Sequence, residues 1–252
     1  MVKRLFSSGL MLAMLLPCSM AHAFKMAPIK VDFYPAGQGA TQIFKLENDS
    51  DAPIAVQVSM LTRAMDIDGK EKYKNADEDF IVYPPQAVIG PHKTQTVRVK
   101  WAGDLNPAQE QSYRIVAEQL PVNLQKTAKR GVSVNLLVRY LGAIYIVPRD
   151  AEPHIVVEEI TRTKRNDGTD GMIVTVHNKG NTHAILGDLS LRLTCAGYSE
   201  DSSTTIVLPP EQLVGMNGEN ILAGHKRRFV LPWPSQLDSM PMQAELDYTP
   251  WR

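Results

Sequence analysis

The chain has 252 residues, 44% of them hydrophobic and 21% charged, which is enough apolar mass for one large core or two smaller ones. Its 27 basic and 27 acidic side chains cancel, so it lacks the cationic surplus that nucleic acids or anionic membranes select. Two cysteines are too few for a disulfide-stapled scaffold.

Residues 1–23 read as a cleaved signal peptide. MVKR supplies a positive start, an apolar run follows, and Ala21-His22-Ala23 has the small-x-small pattern that signal peptidase cuts after. The alternative is an uncleaved N-terminal anchor. Against it, Ser7, Ser8, Gly9 and Pro17 break the run, which is short for a bilayer span. Pro17 ahead of Cys18 fits a lipoprotein site poorly. Loss of this segment removes Lys3, Arg4 and Cys18, leaving a slight acidic excess and Cys195 as the remaining thiol. An exported chain without an internal disulfide must be stabilised by packed cores. Cys195 continues the alternation of Leu189, Leu191 and Leu193 and reads as a buried thiol, while a redox or metal role has no partner in sequence.

From residue 24 onward the elements are all β. VDFYPAGQGATQIFKLENDS, APIAVQVSMLTRA, TQTVRVKWA, YRIVAEQLP and VSVNLLVRY are rich in β-branched and aromatic residues, and Asn-Asp-Ser-Asp, Asp-Ile-Asp-Gly and Pro-Pro clusters punctuate them. Val97, Val99 and Trp101 alternate with Arg98 and Lys100. A second series, IVVEEITRT, MIVTVHNKG, AILGDLSLRLTC, TTIVLPP, RRFVLPWP and MQAELDYTP, follows the junction VPRDAEP at 147–153. The expected organisation is two β-sandwiches, residues 24–147 and 148–252.

Catalytic signatures are weak. There is no phosphate-binding glycine loop, no Gly-x-Ser-x-Gly elbow and no His-Glu-x-x-His, so no enzyme activity, cofactor or metal is expected. His177 and His183 flank a turn and could pair on a metal, although no third ligand stands at suitable spacing. Asp66, Asp68 and Gly69 resemble part of a calcium loop but lack its distal glutamate, which leaves a plain turn as the simpler reading.

The segment GVSVNLLVRYLGAIYIVP, 131–148, is unusual. Val132, Val134, Leu136, Val138 and Tyr140 form one apolar stripe, and Ser133, Asn135, Leu137, Arg139 and Leu141 form the other face. It could be an ordinary core strand. Its length, roughly three times that of a usual strand, argues instead that one end projects beyond its own sheet. A projecting apolar edge invites aggregation unless a partner occupies it.

Taken with YRIVAEQLP and the block IVYPPQAVIGPHKTQTVRVKW at 81–101, this long strand ending at Pro148 resembles the periplasmic pilus-assembly chaperones of the chaperone–usher pathway. The resemblance spans nearly all of the chain after residue 23. It is strongest in the first half, and VTVHNKGNTHAILGDLSLRL and ILAGHKRRFVLP carry it in the second. It implies two immunoglobulin-like domains in an L-shaped arrangement with a subunit-binding cleft between them. It also implies a chaperone that lends a donor strand to incomplete pilus or fimbrial subunits and delivers them to an outer-membrane usher without ATP. Counting back from Pro148 places the family's donor positions on Val134, Leu136 and Val138, within the stripe Val132 to Tyr140. The loop before them, Val122 to Gly131 with Lys126, Lys129 and Arg130, would be ordered on binding.

The family also anchors the subunit's terminal carboxylate on two basic residues. One falls on Lys30, but the other falls on Ala143, so that lysine is missing. Arg114 and Arg139, with Lys30, are the candidate replacements; Arg139 shares the face of Ala143 but lies about 13 Å nearer the projecting end. The competing reading is that these arginines are solvated or tied to internal acids such as Glu118. Glu110 matches an acidic residue of the family's interdomain network, whose usual arginine position is Val147 here, with Arg149 close by. These departures point to a non-classical branch. Whether the free protein caps itself as a homodimer stays open. A secreted structural subunit and a carbohydrate-binding module are the rivals; the first lacks a clean N-terminal donor extension, and the second is disfavoured by tryptophans dispersed at 101, 233 and 251.

Overall fold

The computed structural model describes residues 24–122, 137–196, 203–237, 241 and 243–251. The first part of the chain contributes β1 (Phe24–Ala27), β2 (Lys30–Phe33), β3 (Thr41–Asn48), β4 (Ile54–Met65) and β5 (Glu71–Asn75). They are followed by β6 (Phe80–Tyr83), β7 (Gln86–Ile89), β8 (Lys93–Trp101), β9 (Gln111–Gln119) and β10 (Arg139–Ile146). The second part contributes β11 (Ile155–Lys164), β12 (Asp170–Asn178), β13 (Ala184–Ala196), β14 (Ser203–Leu208), β15 (Asn220–Ile221), β16 (Lys226–Pro232) and β17 (Gln243–Trp251). The secondary structure follows the period-two pattern read from sequence. In β8, Val97, Val99 and Trp101 are buried while Arg98 and Lys100 face solvent.

The first sandwich packs a sheet of order β1-β3-β8-β6 on one of order β2-β10-β9-β4-β5, with β7 added to β4. Phe33, Phe44, Leu46, Met60, Ile115, Ile144 and Ile146 fill the space between them. Phe80 meets Trp101 and Tyr113 edge-on, each at 5.0 Å. β1 and β2 are consecutive yet belong to opposite sheets: β1 pairs antiparallel with β3, and β2 pairs parallel with β10. Pro28 between them has no N–H to lose from a ladder. The crossing chain passes so close to β10 that a Cβ on Gly142 would lie 2.7 Å from Ile115 and 3.2 Å from the Ile29 carbonyl.

The second sandwich sets β11-β12-β16 against β14-β13-β15, with β17 also on β13. Met172, Val174, Val176, Leu186, Leu189, Leu191 and Leu193 form its core, and Cys195 is buried among them. A third, small cluster joins the two sandwiches: Met65, Ala143 and Tyr145 from the first and Leu222 from the second. Beside it the buried Glu110 carboxylate accepts hydrogen bonds from the Thr182 hydroxyl, from the His183 N–H at 3.2 Å and from His183 Nδ1 at 2.7 Å.

Each sandwich turns one corner on a buried asparagine. Asn48 Nδ2 donates to the carbonyls of Ala52, Ile89 and Gly90 at 2.8–3.1 Å, and its Oδ1 accepts from Ser50 N at 3.0 Å. Asn178 Nδ2 donates to the carbonyls of Thr182 and Ile221 at 2.7 and 3.1 Å, and its Oδ1 accepts from Gly180 N and His154 N at 3.0 and 3.1 Å. Both side chains are fully inaccessible. One planar amide thus replaces the ladder partners that the chain gives up as it leaves one sheet for the other. Asn178→Ala takes the partner from two carbonyls and two N–H groups, buried or part-buried, and the expected outcome is a loss of about 3 kcal/mol in urea denaturation.

Candidate functional site

The outward face of the sheet β2-β10-β9-β4-β5 carries the residues of interest. Alternation sends Ile144 and Ile146 of β10 into the first core and turns Ala143 and Tyr145 the other way. Tyr113, Ile115 and Ala117 of β9 also point inward, so Arg114 points outward. The ladder places Ala143 opposite both Lys30 and Arg114, so two cations from different strands flank a methyl group. Arg63 of β4 and Glu71 of β5 complete the cluster on the same face.

Glu71 organises these charges. Arg114 donates to it with two nitrogens, Nε at 3.0 Å and Nη2 at 2.5 Å, and Arg63 Nε donates at 2.8 Å. The Tyr73 hydroxyl donates at 2.5 Å. Burial pushes the Glu71 carboxyl upward, but hydrogen bonds from Arg114 and Tyr73 and the charge of Arg63 outweigh it and hold the group at about 2. Two guanidiniums share one carboxylate, so the cluster keeps a net positive charge. Arg63 is buried and its Nη1 donates to the Tyr145 hydroxyl at 2.8 Å, which also accepts from Asn220 Nδ2 at 2.7 Å. Burial pushes the Tyr145 phenol upward. The Tyr145 ring stacks on His183 at 3.7 Å, with the Lys30 ammonium 5.6 Å from its centroid. A cavity of about 710 Å³ opens beside Lys30, between the sandwiches, bordered also by Asp32, Tyr34, Arg149, His183 and Trp251.

Of the predicted apolar stripe, Val138 and Tyr140 are described; Val132, Val134 and Leu136 lie outside the described residues, as do residues 1–23 and the basic loop segment 123–131. Val138 and Tyr140 share the parity of Ile144 and Ile146, and both pack at the margin of the first core, where Tyr140 meets Phe24 edge-on at 5.1 Å. β9 pairs with β10 from Arg139 onward, whereas β2 pairs with it only from Ala143. Among the described residues, the other edge of β10 over 139–142 is therefore without a ladder partner. Arg139 is half exposed and sits 3.4 Å from Glu118, four positions along the strand from Ala143.

The structure thus gathers Lys30 and Arg114 and leaves Arg139 apart. Both arginines do meet internal acids, and the acid at Arg114 is Glu71 rather than Glu118. Sequence reading missed Arg63 and Glu71. Arg63 carried a signal, the one charge in the run IAVQVSMLTRAM, of the same kind that marked Arg114. Glu71 carried none, because only the β4–β5 pairing brings KEKYKN across to the arginines. His177 and His183 do not converge: His177 lies by Glu158 at 3.6 Å, and His183 by Glu110.

A sequence model of the family described as pili and flagellar-assembly chaperones, PapD N-terminal domain, matches residues 25–150. Comparison with curated protein sequences finds no match. Among solved structures, a chain of a chaperone–tip adhesin complex of CFA/I fimbriae biogenesis is similar at TM-score 0.56 and 13% identity, over 90% of this chain and 94% of that one. The class 5 fimbriae chaperone CfaA gives 0.53 and 13% over 90% and 98%. The CsuC–CsuE chaperone–tip adhesion subunit pre-assembly complex of archaic chaperone–usher Csu pili, from Acinetobacter baumannii, gives 0.51 and 15% over 82% and 89%. At these identities the likeness is one of fold, and the two sandwiches are immunoglobulin-like.

The Glu71 carboxyl sits below its ordinary 4.5, so its stabilising contribution is complete above about pH 4.5 and is lost as the pH falls toward 2. Glu71→Gln should flatten the stability–pH curve across that window. It should also lower stability at pH 7 by about 3 kcal/mol, because the buried Arg63 loses its counter-charge. Urea unfolding at pH 7, 4.5 and 3 measures both.

Proposed function

The chain belongs to the family of pili and flagellar-assembly chaperones, and on that premise we propose that it is a periplasmic chaperone for fimbrial subunits. It holds them by donor-strand complementation, hands them to an outer-membrane usher and needs no ATP. Residues 1–23 direct its export, residues 24–147 form the donor domain, and residues 148–252 form the second arm of an L. The observation that carries the reading is the parity of β10. The positions that face the first core, Ile146, Ile144, Tyr140 and Val138, continue in sequence as Leu136, Val134 and Val132, and among the described residues β2 leaves the edge of β10 over 139–142 uncovered. A strand with this pattern extends its own domain's core into a client that lacks a strand. Each aliphatic side chain seated in the client contributes about 1.5–3 kcal/mol, and ladder hydrogen bonds set the register.

The client's terminal carboxylate is anchored at Ala143 by Lys30 and Arg114. Where the family's second cation is missing from β10, the adjacent strand β9 supplies one in the same row. Glu71 takes Nε and Nη2 of Arg114 and leaves Nη1 for a second anion. Arg139, farther along β10, meets the client strand itself. The structural likenesses to a chaperone–tip adhesin complex and to the CsuC–CsuE pre-assembly complex support a subunit as the partner class.

Co-purification from periplasm tests the reading: a smaller pilin should come down with the protein at one to one. Leu136→Asp should reduce that recovery at least tenfold while circular dichroism and melting temperature stay as in the parent; normal recovery sinks the donor-strand assignment. Separately, Lys30→Ala and Arg114→Lys should each lower subunit yield, with Arg139→Ala having the smaller effect. A yield untouched by the first two moves the anchor elsewhere.

A further inference from the structure

The turn at the tip of the β4–β5 hairpin is more than a link between two strands. Locally it is an ordinary aspartate turn: Asp66 Oδ1 accepts from Asp68 N and Lys70 N at 3.1 and 2.9 Å, and Gly69 takes a left-handed φ of +84°. Its outer surface, however, is seated on the second sandwich. Arg228 N of β16 donates to the Ile67 carbonyl at 2.8 Å, and Arg228 Nε and Nη2 both donate to Asp68, the latter at 2.9 Å. Beneath this pair lies Arg227, only 6% exposed. Its Nη1 donates to the Met65 sulfur at 3.1 Å and to the Asn220 carbonyl at 2.9 Å, and its Nη2 donates to Glu219 at 2.8 Å. The guanidinium is pressed against Gly69 so closely that a Cβ there would lie 2.3 Å from Nη2. A backbone bond, a two-pronged ion pair and a buried cation thus converge on Met65 at the end of β4 and on Ile67, Asp68 and Gly69 of the turn.

The same hairpin holds Arg63 and Glu71 close behind this tip. Met65, which touches Arg227, pairs with Glu71 in the ladder, and Arg63 pairs with Tyr73. Only Ala64 and Met65, at about 3.3 Å per residue, separate Arg63 from the turn, and Glu71 follows it directly, so the link is short and stiff. We infer that the β4–β5 hairpin is a strut that couples the Lys30–Arg114 anion face to the orientation of the second sandwich, with Asp68 and Gly69 as positioning residues seated on Arg227 and Arg228. An anion docked on Nη1 of Arg114 pulls on a guanidinium that Glu71 also holds, so displacement at Glu71 is felt at the adjoining tip, and tilting of the second sandwich is felt at Arg114. Such coupling is reciprocal. The coupling to a client rests on the carboxylate reading proposed above; the strut itself does not.

The ion pair at the tip is exposed, and exposed pairs add little to stability, so charge changes there probe geometry rather than folding. Spin labels at Lys100→Cys and Lys164→Cys, one on each sandwich, report their separation by pulsed electron paramagnetic resonance. Arg228→Asp should broaden the distance distribution at least twofold, and the charge swap Asp68→Arg with Arg228→Asp should restore it. Gly69→Ala, which changes no charge but displaces Arg227, should broaden it as well. In the same variants, carbon-detected NMR of the Glu71 carboxyl should show its titration moving up by about one pH unit, a tenfold weaker hold on the ionised form, and returning in the swap. An unchanged distribution in Arg228→Asp, or a swap that fails to restore it, overturns the strut. Altered distances with Glu71 titrating as in the parent in every variant overturn its coupling to the anion face. Neither measurement involves a client, so a failed client assay and a failed strut are distinguishable.

Discussion

β10 has two faces and three neighbours to satisfy with them, and most of the molecule is arranged around that constraint. Its even-numbered residues close the first core with β9 and β4. Its odd-numbered residues, Ala143 and Tyr145, form the floor on which the second sandwich rests. A slip of one residue would exchange the two sets, turning Ala143 and Tyr145 into the first core and Ile144 and Ile146 out of it. The register is held from both sides over 143–146, by antiparallel β9 and parallel β2. Gly142, where β2 arrives, marks the point at which the strand passes from one-sided to two-sided pairing.

Charge follows the same geometry. A buried guanidinium must find an anion, and two of them on one sheet face would ordinarily need two. Arg63 and Arg114 share Glu71, with the Tyr145 hydroxyl accepting from Arg63 in place of a second carboxylate. The result is a rigid, under-neutralised patch on the sheet face that also carries Lys30, and Lys30 itself borders the cavity between the sandwiches. Rigidity matters because an arginine already fixed in place loses little freedom when an anion docks on its remaining nitrogen. His183 stacks on the Tyr145 ring and reaches the Glu110 carboxylate, so the floor of the cleft is tied to both sandwiches.

The two sandwiches repeat one device in different letters. Asn48-Asp49-Ser50 and Asn178-Lys179-Gly180 each end a strand, bury the asparagine and bond the carbonyl four residues on. What repeats is the need to satisfy backbone groups where a chain changes sheets, and a planar amide with donors and acceptors on one edge meets it.

Period-two alternation alone was enough to assign an all-β chain, the inward faces of β8 and β13 and the burial of Cys195, because a strand's side-chain direction is a local property of the backbone. It also marked Arg114 as a cation on an apolar strand that would need an anion. The identity of that anion was illegible: Glu71 lies 43 residues away from Arg114 in sequence, in a stretch with no apolar pattern. Likewise Lys30 and Arg114 became neighbours only through a parallel pairing between the start of the first sandwich and its last strand. Asp68 read as a turn residue and nothing more, since its bond to Arg228 spans 160 positions. Which face of each strand turns inward is written locally along the chain; which charges meet is set by the fold, because partners across sheets and between sandwiches are chosen by topology and leave no local periodicity.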